Sequence, residues 1–325
     1  MTSTTLYGLS VDSDVPMPSR PESVTVDGTV RLRRGADRSH TDEDPAGEII
    51  LRYASPERPW YTATRSDDGY RLRFHGTCDF VLTPDLEHVT LHAVEGADSG
   101  VARVLASGAQ MAFQLYLRGH TVLHASAVQL EDDVVGFVGR SGMGKSTMAA
   151  LLCAEGGALV TDDVLRVDPA GDDHLARLGA TELRLRKGAD TLTERFGADS
   201  PRRGRSADGR DLLAPGREPT DARPVGALVV PLPDRTCEEL RVDRVRGGAA
   251  AFALMQFPRL LGWRDPRVTA QQFARVSALA ASVPVFTARV PWGPPFRERL
   301  GTELVEALRA QGAELDQPSG KYAPA

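Results

Sequence analysis

Short runs of alternating hydrophobic and polar residues fill the first part of the chain from residue 48 onward. The runs read GEIILRYA, WYTATRS, YRLRFHG, CDFVLTP and HVTLHAV, and turn residues such as Asp67-Asp68-Gly69 separate them. A period of two residues with such breaks predicts antiparallel strands. Residues 1–47 show weak periodicity, so we expect irregular chain there with one strand around residues 23–32. The pattern predicts a β-rich N-terminal module over residues 1–97.

The pattern changes to a helical period over residues 99–118, where Val101, Val104, Leu105 and Leu115 share one face. Two strand-like runs follow, TVLHASAVQL and VVGFVG, and they lead into a glycine-rich loop. The helix-like run KSTMAALLCAE and the strand-like run ALVTDD come next. This order of strand, loop, helix and strand predicts an α/β domain that begins near residue 98.

The remaining chain contains one stretch without periodicity and several regular elements. Residues 199–223 are rich in arginine, which predicts an exposed mobile loop. Beyond it we expect the strand VGALVVPL, helices over 248–261 and 269–283, the strand VPVFTARV and a final helix. The second domain is therefore predicted over residues 98–313, followed by a disordered tail over residues 314–325. The whole chain is expected to be α+β, with an α/β second domain.

Composition excludes several classes of function. The chain has 325 residues, 41% hydrophobic content and a formal net charge of −5, which is ordinary for a globular protein. No general basic field exists to attract nucleic acid or an anionic membrane. No apolar run is long enough to span a bilayer, and the first residues do not form a signal peptide. Three widely spaced cysteines fit neither a disulfide framework nor a metal site, so we expect a cytoplasmic protein.

The glycine-rich loop matches the phosphate-binding P-loop, whose pattern is G-x-x-x-x-G-K-S/T. Glycines let successive backbone N–H groups converge on phosphates, and the following helix offers its positive end to the same charge. Lys145 is expected to reach the terminal phosphates of ATP, while the Ser146 hydroxyl is expected to bind Mg²⁺. The predicted nucleotide-binding residues are Gly139, Arg140, Ser141, Gly142, Met143, Gly144, Lys145, Ser146 and Thr147.

Two consecutive carboxylates, Asp162 and Asp163, follow the next predicted strand, at the sheet edge where ligands bind in α/β domains. We expect Asp162 to hold Mg²⁺ and Asp163 to act as general base toward an attacking hydroxyl. Paired aspartates also occur in predicted turns of this chain, for example Asp132-Asp133, so a plain turn is the alternative. His124 lies on the strand before the loop, and from its residue type alone a structural role is favoured over acid–base catalysis.

The arginine-rich stretch offers candidates for stabilising a transferring phosphoryl group, which carries negative charge. Arg205 and Arg210 are the preferred candidates in this stretch. The alternatives are a solvated surface and a site that recognises an acidic substrate.

The segments LHASAV, GFVGRSGMGKSTMAALL and ALVTDDVLRV together resemble the kinase domain of HPr kinase/phosphorylase, over residues 121–167. The resemblance implies a P-loop kinase domain with a mixed sheet, in which His124, Asp162 and Asp163 belong to the active site. The N-terminal half does not resemble the regulatory domain of that enzyme, and Thr147 stands where it usually has an acidic residue. The resemblance therefore does not extend to phosphorolysis.

The β-rich front and LHASAV are more similar to HPr-kinase-like proteins of bacterial peptide natural-product clusters, such as lasso-peptide kinases, some of which phosphorylate a precursor peptide on serine. The resemblance implies an ATP- and Mg²⁺-dependent kinase whose acceptor is a Ser/Thr hydroxyl of a peptide or small protein. It also raises the expectation of a homo-oligomer. Two alternatives stay open: a kinase for an amino acid or sugar, and a nucleotide-dependent switch without turnover.

Overall fold

A computed structural model describes residues 2–18, 20, 26–186, 190–196, 202–207, 209–217, 219 and 221–315. The chain is a mixed α/β protein that divides into two compact units. The first unit contains residues 1–119 and 260–272, and the second contains residues 120–259 and 273–325. No helix among the described residues is long and apolar enough to cross a membrane.

The first unit is built on a mixed sheet of eight strands in the order β1-β2-β3-β8-β7-β6-β5-β4. The strands are β1 (Thr2–Leu6), β2 (Leu9–Ser13), β3 (Thr29–Arg34), β4 (Glu48–Ala54), β5 (Pro59–Ser66), β6 (Gly69–Phe74), β7 (Cys78–Leu82) and β8 (His88–Ala93). Strands β4 to β8 coincide with the five alternating runs in the sequence. Gly262 accepts a backbone hydrogen bond from Arg52 on the edge strand β4, and this contact covers part of an otherwise open edge.

The prediction of irregular chain before residue 48 is wrong for residues 2–13, which form the hairpin of β1 and β2. Its two turn residues, Tyr7 and Gly8, both have positive φ angles, 54° and 74°. Positive φ at both central residues is the turn geometry that suits the twist of paired strands. Leu6 and Leu9 flank the turn and are fully buried, so hydrophobic burial stabilises the hairpin. The polar residues around them hide the alternating pattern in the sequence.

The predicted helix over 99–118 is present but interrupted. It consists of α1 (Ser99–Leu105), a π-helical turn (Ala106–Gln110) and α2 (Met111–Leu117). The Asp98 side chain caps α1 by accepting a hydrogen bond from Gly100 N–H. Phe113 stacks on Trp263 at 5.6 Å between ring centroids, and this packing explains why the helix belongs to the first unit although the sequence placed it in the second domain.

The second unit contains a nine-stranded mixed sheet and a small three-stranded sheet. The strands of the large sheet are β9 (Thr121–Leu123), β10 (Ala125–Leu130), β11 (Asp133–Val138), β12 (Ala158–Thr161), β13 (Leu165–Ala170), β14 (Asp173–Ala176), β18 (Arg223–Asp234), β19 (Arg241–Val245) and β20 (Val285–Pro291). The small sheet consists of β15 (Leu183–Leu185), β16 (Arg202–Arg205) and β17 (Asp211–Leu213). Strands β11, β18 and β20 pair in parallel, so their carboxyl ends share one edge of the sheet.

Helices cover both faces of the large sheet. They are α3 (Lys145–Ala154), α4 (Gly248–Met255), α5 (Pro266–Ser282) and α6 (Leu300–Ala310), with a 3₁₀ helix at Asp190–Phe196. Leu151 of α3 and Leu304 of α6 belong to one buried cluster, and Leu254 of α4 and Leu279 of α5 belong to another. Each fully buried leucine stabilises the fold by about 1.5–3 kcal/mol. The two buried clusters therefore hold the helices against the two faces of the sheet.

Two other predictions need correction. The described residues of the stretch 199–223 include strands β16 and β17, so this segment is not simply a mobile loop; Leu213 is fully buried and anchors the small sheet. The helix predicted over 248–261 ends at Met255, because Pro258 disfavours helix at the residue before it. Of the predicted disordered tail, only residues 314–315 are described, and Leu315 is buried. Residues 316–325 lie outside the described residues.

Candidate functional site

The P-loop connects the end of β11 to the start of α3, as its sequence pattern predicts. Gly142 and Gly144 have φ angles of 92° and 84°, a region that side chains other than glycine rarely adopt. The loop is tied to the neighbouring strands because Gly139 N–H donates to the carbonyl oxygen of His124 at 3.2 Å. Helix α3 begins at Lys145, so its unpaired N–H groups lie at the end of the loop and fit an anionic ligand.

Lys145 is held inside this loop. Its ammonium donates to the carbonyl oxygen of Arg140 at 3.1 Å, and the residue is only 6% exposed. Burial lowers the pKa of Lys145 to about 8. A polyphosphate beside the ammonium would compensate this cost of burial, so the position fits a phosphate-binding lysine.

Trp292 packs against the last glycine of the loop. A Cβ atom built on Gly144 would lie 2.2 Å from Cη2 of the indole, so no side chain fits at this position. Trp292 follows β20 and meets Phe296 edge to face at 5.2 Å. The indole ring therefore supports the loop where the chain enters α3, a contact that is not predictable from the sequence pattern.

Asp162 lies directly after β12 and is 3% exposed. Its Oδ1 accepts hydrogen bonds from the hydroxyl groups of Ser146 at 2.8 Å and Ser126 at 2.5 Å. Its Oδ2 accepts from the backbone N–H of Arg184 at 3.0 Å. A hydroxyl paired with a carboxylate at the start of a P-loop helix supplies two oxygen donors of the kind Mg²⁺ prefers. Ser146 and Asp162 therefore fit the predicted magnesium site.

Asp163 has a positive φ of 78°, which is uncommon for a residue other than glycine and is often found at functional sites. Its Oδ2 accepts two hydrogen bonds from Arg259, at 2.7 and 2.9 Å, and one from Arg184 at 3.3 Å. Burial raises the pKa of Asp163, but the combined effect of Arg259, His124 and Arg184 in lowering it is larger. The pKa of Asp163 therefore lies well below its ordinary value. The carboxylate is therefore ionised at neutral pH.

His124 lies between the consecutive strands β9 and β10, and its Nε2 is 3.3 Å from Oδ1 of Asp163. Burial lowers the pKa of His124, while the hydrogen bond to Asp163 opposes that effect. The imidazole is thus predominantly neutral at pH 7. The structure brings His124, Asp162, Asp163, Lys145 and Ser146 together at one edge of the sheet, as the sequence predicts.

The two arginines predicted from the arginine-rich stretch differ in position. Arg205 is 61% exposed at its side chain and lies 3.7 Å from Asp211 of the neighbouring strand. The positive charge of Arg210 adds to the effects of burial and of Arg259, which all lower the pKa of Lys145. Of this pair, only Arg210 acts through its charge on a residue of the candidate site.

Three arginines of the site were missed by the sequence analysis: Arg184, Arg186 and Arg259. Arg184 and Arg259 contact Asp163, and Arg186 Nη2 lies 3.3 Å from the hydroxyl of Ser141 in the P-loop. The alternation in Glu182-Leu-Arg-Leu-Arg is a strand signal that would have put Arg184 and Arg186 on one face. The sequence contains no comparable signal for Arg259, which follows a helix.

No known protein family matches the sequence. No curated protein matches it. Among solved structures, the chain is similar to the Hpr(Ser) kinase/phosphatase from Coxiella burnetii, with 11% sequence identity and a TM-score of 0.28. That similarity covers 58% of this chain and 94% of the other. A likeness this weak does not identify a function, so the geometry of the site has to do so.

Proposed function

We propose that the chain is an ATP- and Mg²⁺-dependent kinase that transfers the γ-phosphoryl group to a Ser/Thr hydroxyl of a peptide or small protein. The observation that carries the proposal is an ionised, half-buried carboxylate, Asp163, next to the Ser146–Asp162 pair of a P-loop. A nucleotide-dependent switch needs the loop and the metal ligands but does not need a second carboxylate directed at the same edge.

On the donor side, the loop amides and Lys145 would bind the phosphates of ATP. Ser146 and Asp162 would hold Mg²⁺, which neutralises charge on the transferring group when it is bound. Asp162 is already oriented by Ser126 and by the N–H of Arg184, so little reorganisation is required on binding.

On the acceptor side, the hydroxyl oxygen would form a bond to the γ-phosphorus while the bond to the bridging oxygen of ADP breaks. The hydroxyl proton would pass to Asp163. A carboxylate with a lowered pKa is a weak base, which suits phosphoryl transfer because proton movement is late in a loose transition state. His124 would orient Oδ1 of Asp163 toward the hydroxyl.

The peptide acceptor is supported by the resemblance of the β-rich front and the segment LHASAV to HPr-kinase-like proteins of peptide natural-product clusters, some of which phosphorylate a precursor peptide. The test is mass spectrometry after incubation of the purified chain with ATP, Mg²⁺ and peptides encoded beside its gene, with free amino acids and sugars in parallel reactions. Phosphate on a serine or threonine of one peptide is the expected result. Phosphate found only on a small molecule would contradict the peptide acceptor, and nucleotide binding without any transfer would contradict the kinase.

A further inference from the structure

Strand β15 and the residue that follows it place two arginines, Arg184 and Arg186, at the candidate site. Leu183 and Leu185 are buried in the cluster that includes α3, so the alternating residues Arg184 and Arg186 lie on the opposite side. Arg184 reaches Asp163, the proposed base, at 3.3 Å. Arg186 follows the strand and reaches the P-loop instead. One short segment thus contacts both the acceptor side and the donor side of the site.

Arg186 lies against the part of the loop that would surround phosphates. Its Nη2 donates to Ser141 Oγ at 3.3 Å, and a Cβ atom built on Gly142 would lie 3.2 Å from Nη2 and 3.4 Å from Cζ. The guanidinium therefore rests on the loop backbone at a glycine with positive φ. Arg186 is exposed, and among the described residues no carboxylate lies within ion-pair distance of it. Its charge is available to an anion in the loop.

We propose that Arg186 binds the terminal phosphate of the nucleotide at the P-loop and stabilises the charge on it during transfer. The inference rests on the proposed function and assigns to Arg186 the role that the sequence analysis gave to Arg205 and Arg210. A planar guanidinium suits this role because it binds two phosphate oxygens at once. Arg184 cannot serve in the same way, because it is engaged with Asp163.

The test measures ATP and ADP affinity by calorimetry, and kcat/KM for transfer, for wild type, Arg186→Ala and Arg186→Lys. Arg289→Ala is the matched control, since Arg289 is also an exposed arginine, and it pairs with Asp234 at 3.0 Å on another strand. Arg186→Ala is expected to weaken ATP binding roughly tenfold with little change for ADP, and to lower kcat/KM by about 10²–10³. Arg186→Lys should recover part of both, and Arg289→Ala should behave as wild type.

The affinity measurement separates the two claims. If wild type binds ATP more tightly than ADP and Arg186→Ala keeps that preference, the role of Arg186 is wrong while the proposed kinase stands. If wild type binds neither nucleotide, the proposed function fails and the role of Arg186 fails with it. If wild type binds ATP but transfers no phosphate, loss of the ATP preference in Arg186→Ala still supports the contact with the terminal phosphate.

Discussion

Arg259 donates two hydrogen bonds to a single carboxylate oxygen of Asp163, from Nη2 at 2.7 Å and from Nε at 2.9 Å. Arg259 follows helix α4 and Asp163 follows strand β12, so two distant segments of the chain meet in this pair. The guanidinium engages Oδ2, while Oδ1 faces His124. The carboxylate thus has one oxygen held by a guanidinium and one that faces the imidazole.

The first prediction concerns the pH dependence of transfer in Arg259→Ala. Among the groups that lower the pKa of Asp163 against burial, Arg259 is the largest. Its removal should raise that pKa, so the acid limb of the kcat/KM profile should move to higher pH. Arg259→Lys keeps a positive charge and should show a smaller displacement. Superimposable profiles for wild type and Arg259→Ala would mean that Asp163 does not limit transfer at low pH.

The second prediction concerns protons taken up when nucleotide binds. The pKa of Lys145 is lowered to about 8 in the free protein, so at pH 9 the amine is largely neutral. Phosphates should raise this pKa, and binding at pH 9 should therefore take up close to one proton. Calorimetry in buffers with different ionisation enthalpies measures the uptake. Lys145→Arg stays protonated at pH 9 and should show none, while Lys145→Ala should abolish transfer.

The third prediction separates the two serines that donate to Asp162. Ser126→Ala and Ser146→Ala each remove one hydrogen bond to the same oxygen, so each should cost roughly 1 kcal/mol in urea unfolding. Only Ser146→Ala should reduce the dependence of ATP affinity on Mg²⁺ concentration. An equal loss of Mg²⁺ dependence in both variants would contradict the assignment of Ser146 as the metal ligand.

The fourth prediction compares two glycines with positive φ. Gly156→Ala should lower the free energy of unfolding by about 1–2 kcal/mol, because a φ of 106° strains an alanine backbone. It should add no steric clash, since no heavy atom of the described residues lies within 4 Å of the new Cβ. Gly144→Ala has similar strain and in addition meets Trp292, which should cost about 1–3 kcal/mol more. It should also lose nucleotide binding, which Gly156→Ala should keep. Equal stability of the two variants would show that the indole does not constrain the loop.

Much of the fold could be predicted, because an element that buries one face has hydrophobic residues at regular intervals in its sequence. Strands β4 to β8 and helices α3 and α6 all follow such runs. The hairpin at residues 2–13 escaped prediction because its strands have five residues each and several buried positions are polar, including Thr4 and Ser13. Strands β15 to β17 have only three or four residues, which is too short for a period to be recognised.

The candidate site likewise contains residues that the sequence predicts and residues that it does not. The residues within the P-loop are adjacent in sequence, and so are Asp162 and Asp163, so a local pattern is enough to find each motif. The contacts of Arg184, Arg186 and Arg259 depend on tertiary structure: the alternation around Arg184 and Arg186 indicates only a shared face, and nothing local selects Arg259 among 39 lysines and arginines. The positive φ of Asp163 is likewise imposed by its surroundings and has no sequence signal.

The most direct test of the proposed kinase compares phosphate transfer by wild type and Asp163→Asn, measured by mass spectrometry of the acceptor with ATP affinity determined on the same samples. Asparagine has nearly the same shape as aspartate but cannot take the hydroxyl proton, and Asp163 is not among the residues proposed to hold the phosphates. Asp163→Asn is expected to bind ATP about as wild type does and to transfer no measurable phosphate. Unchanged transfer in Asp163→Asn would contradict the proposed base and the mechanism built on it.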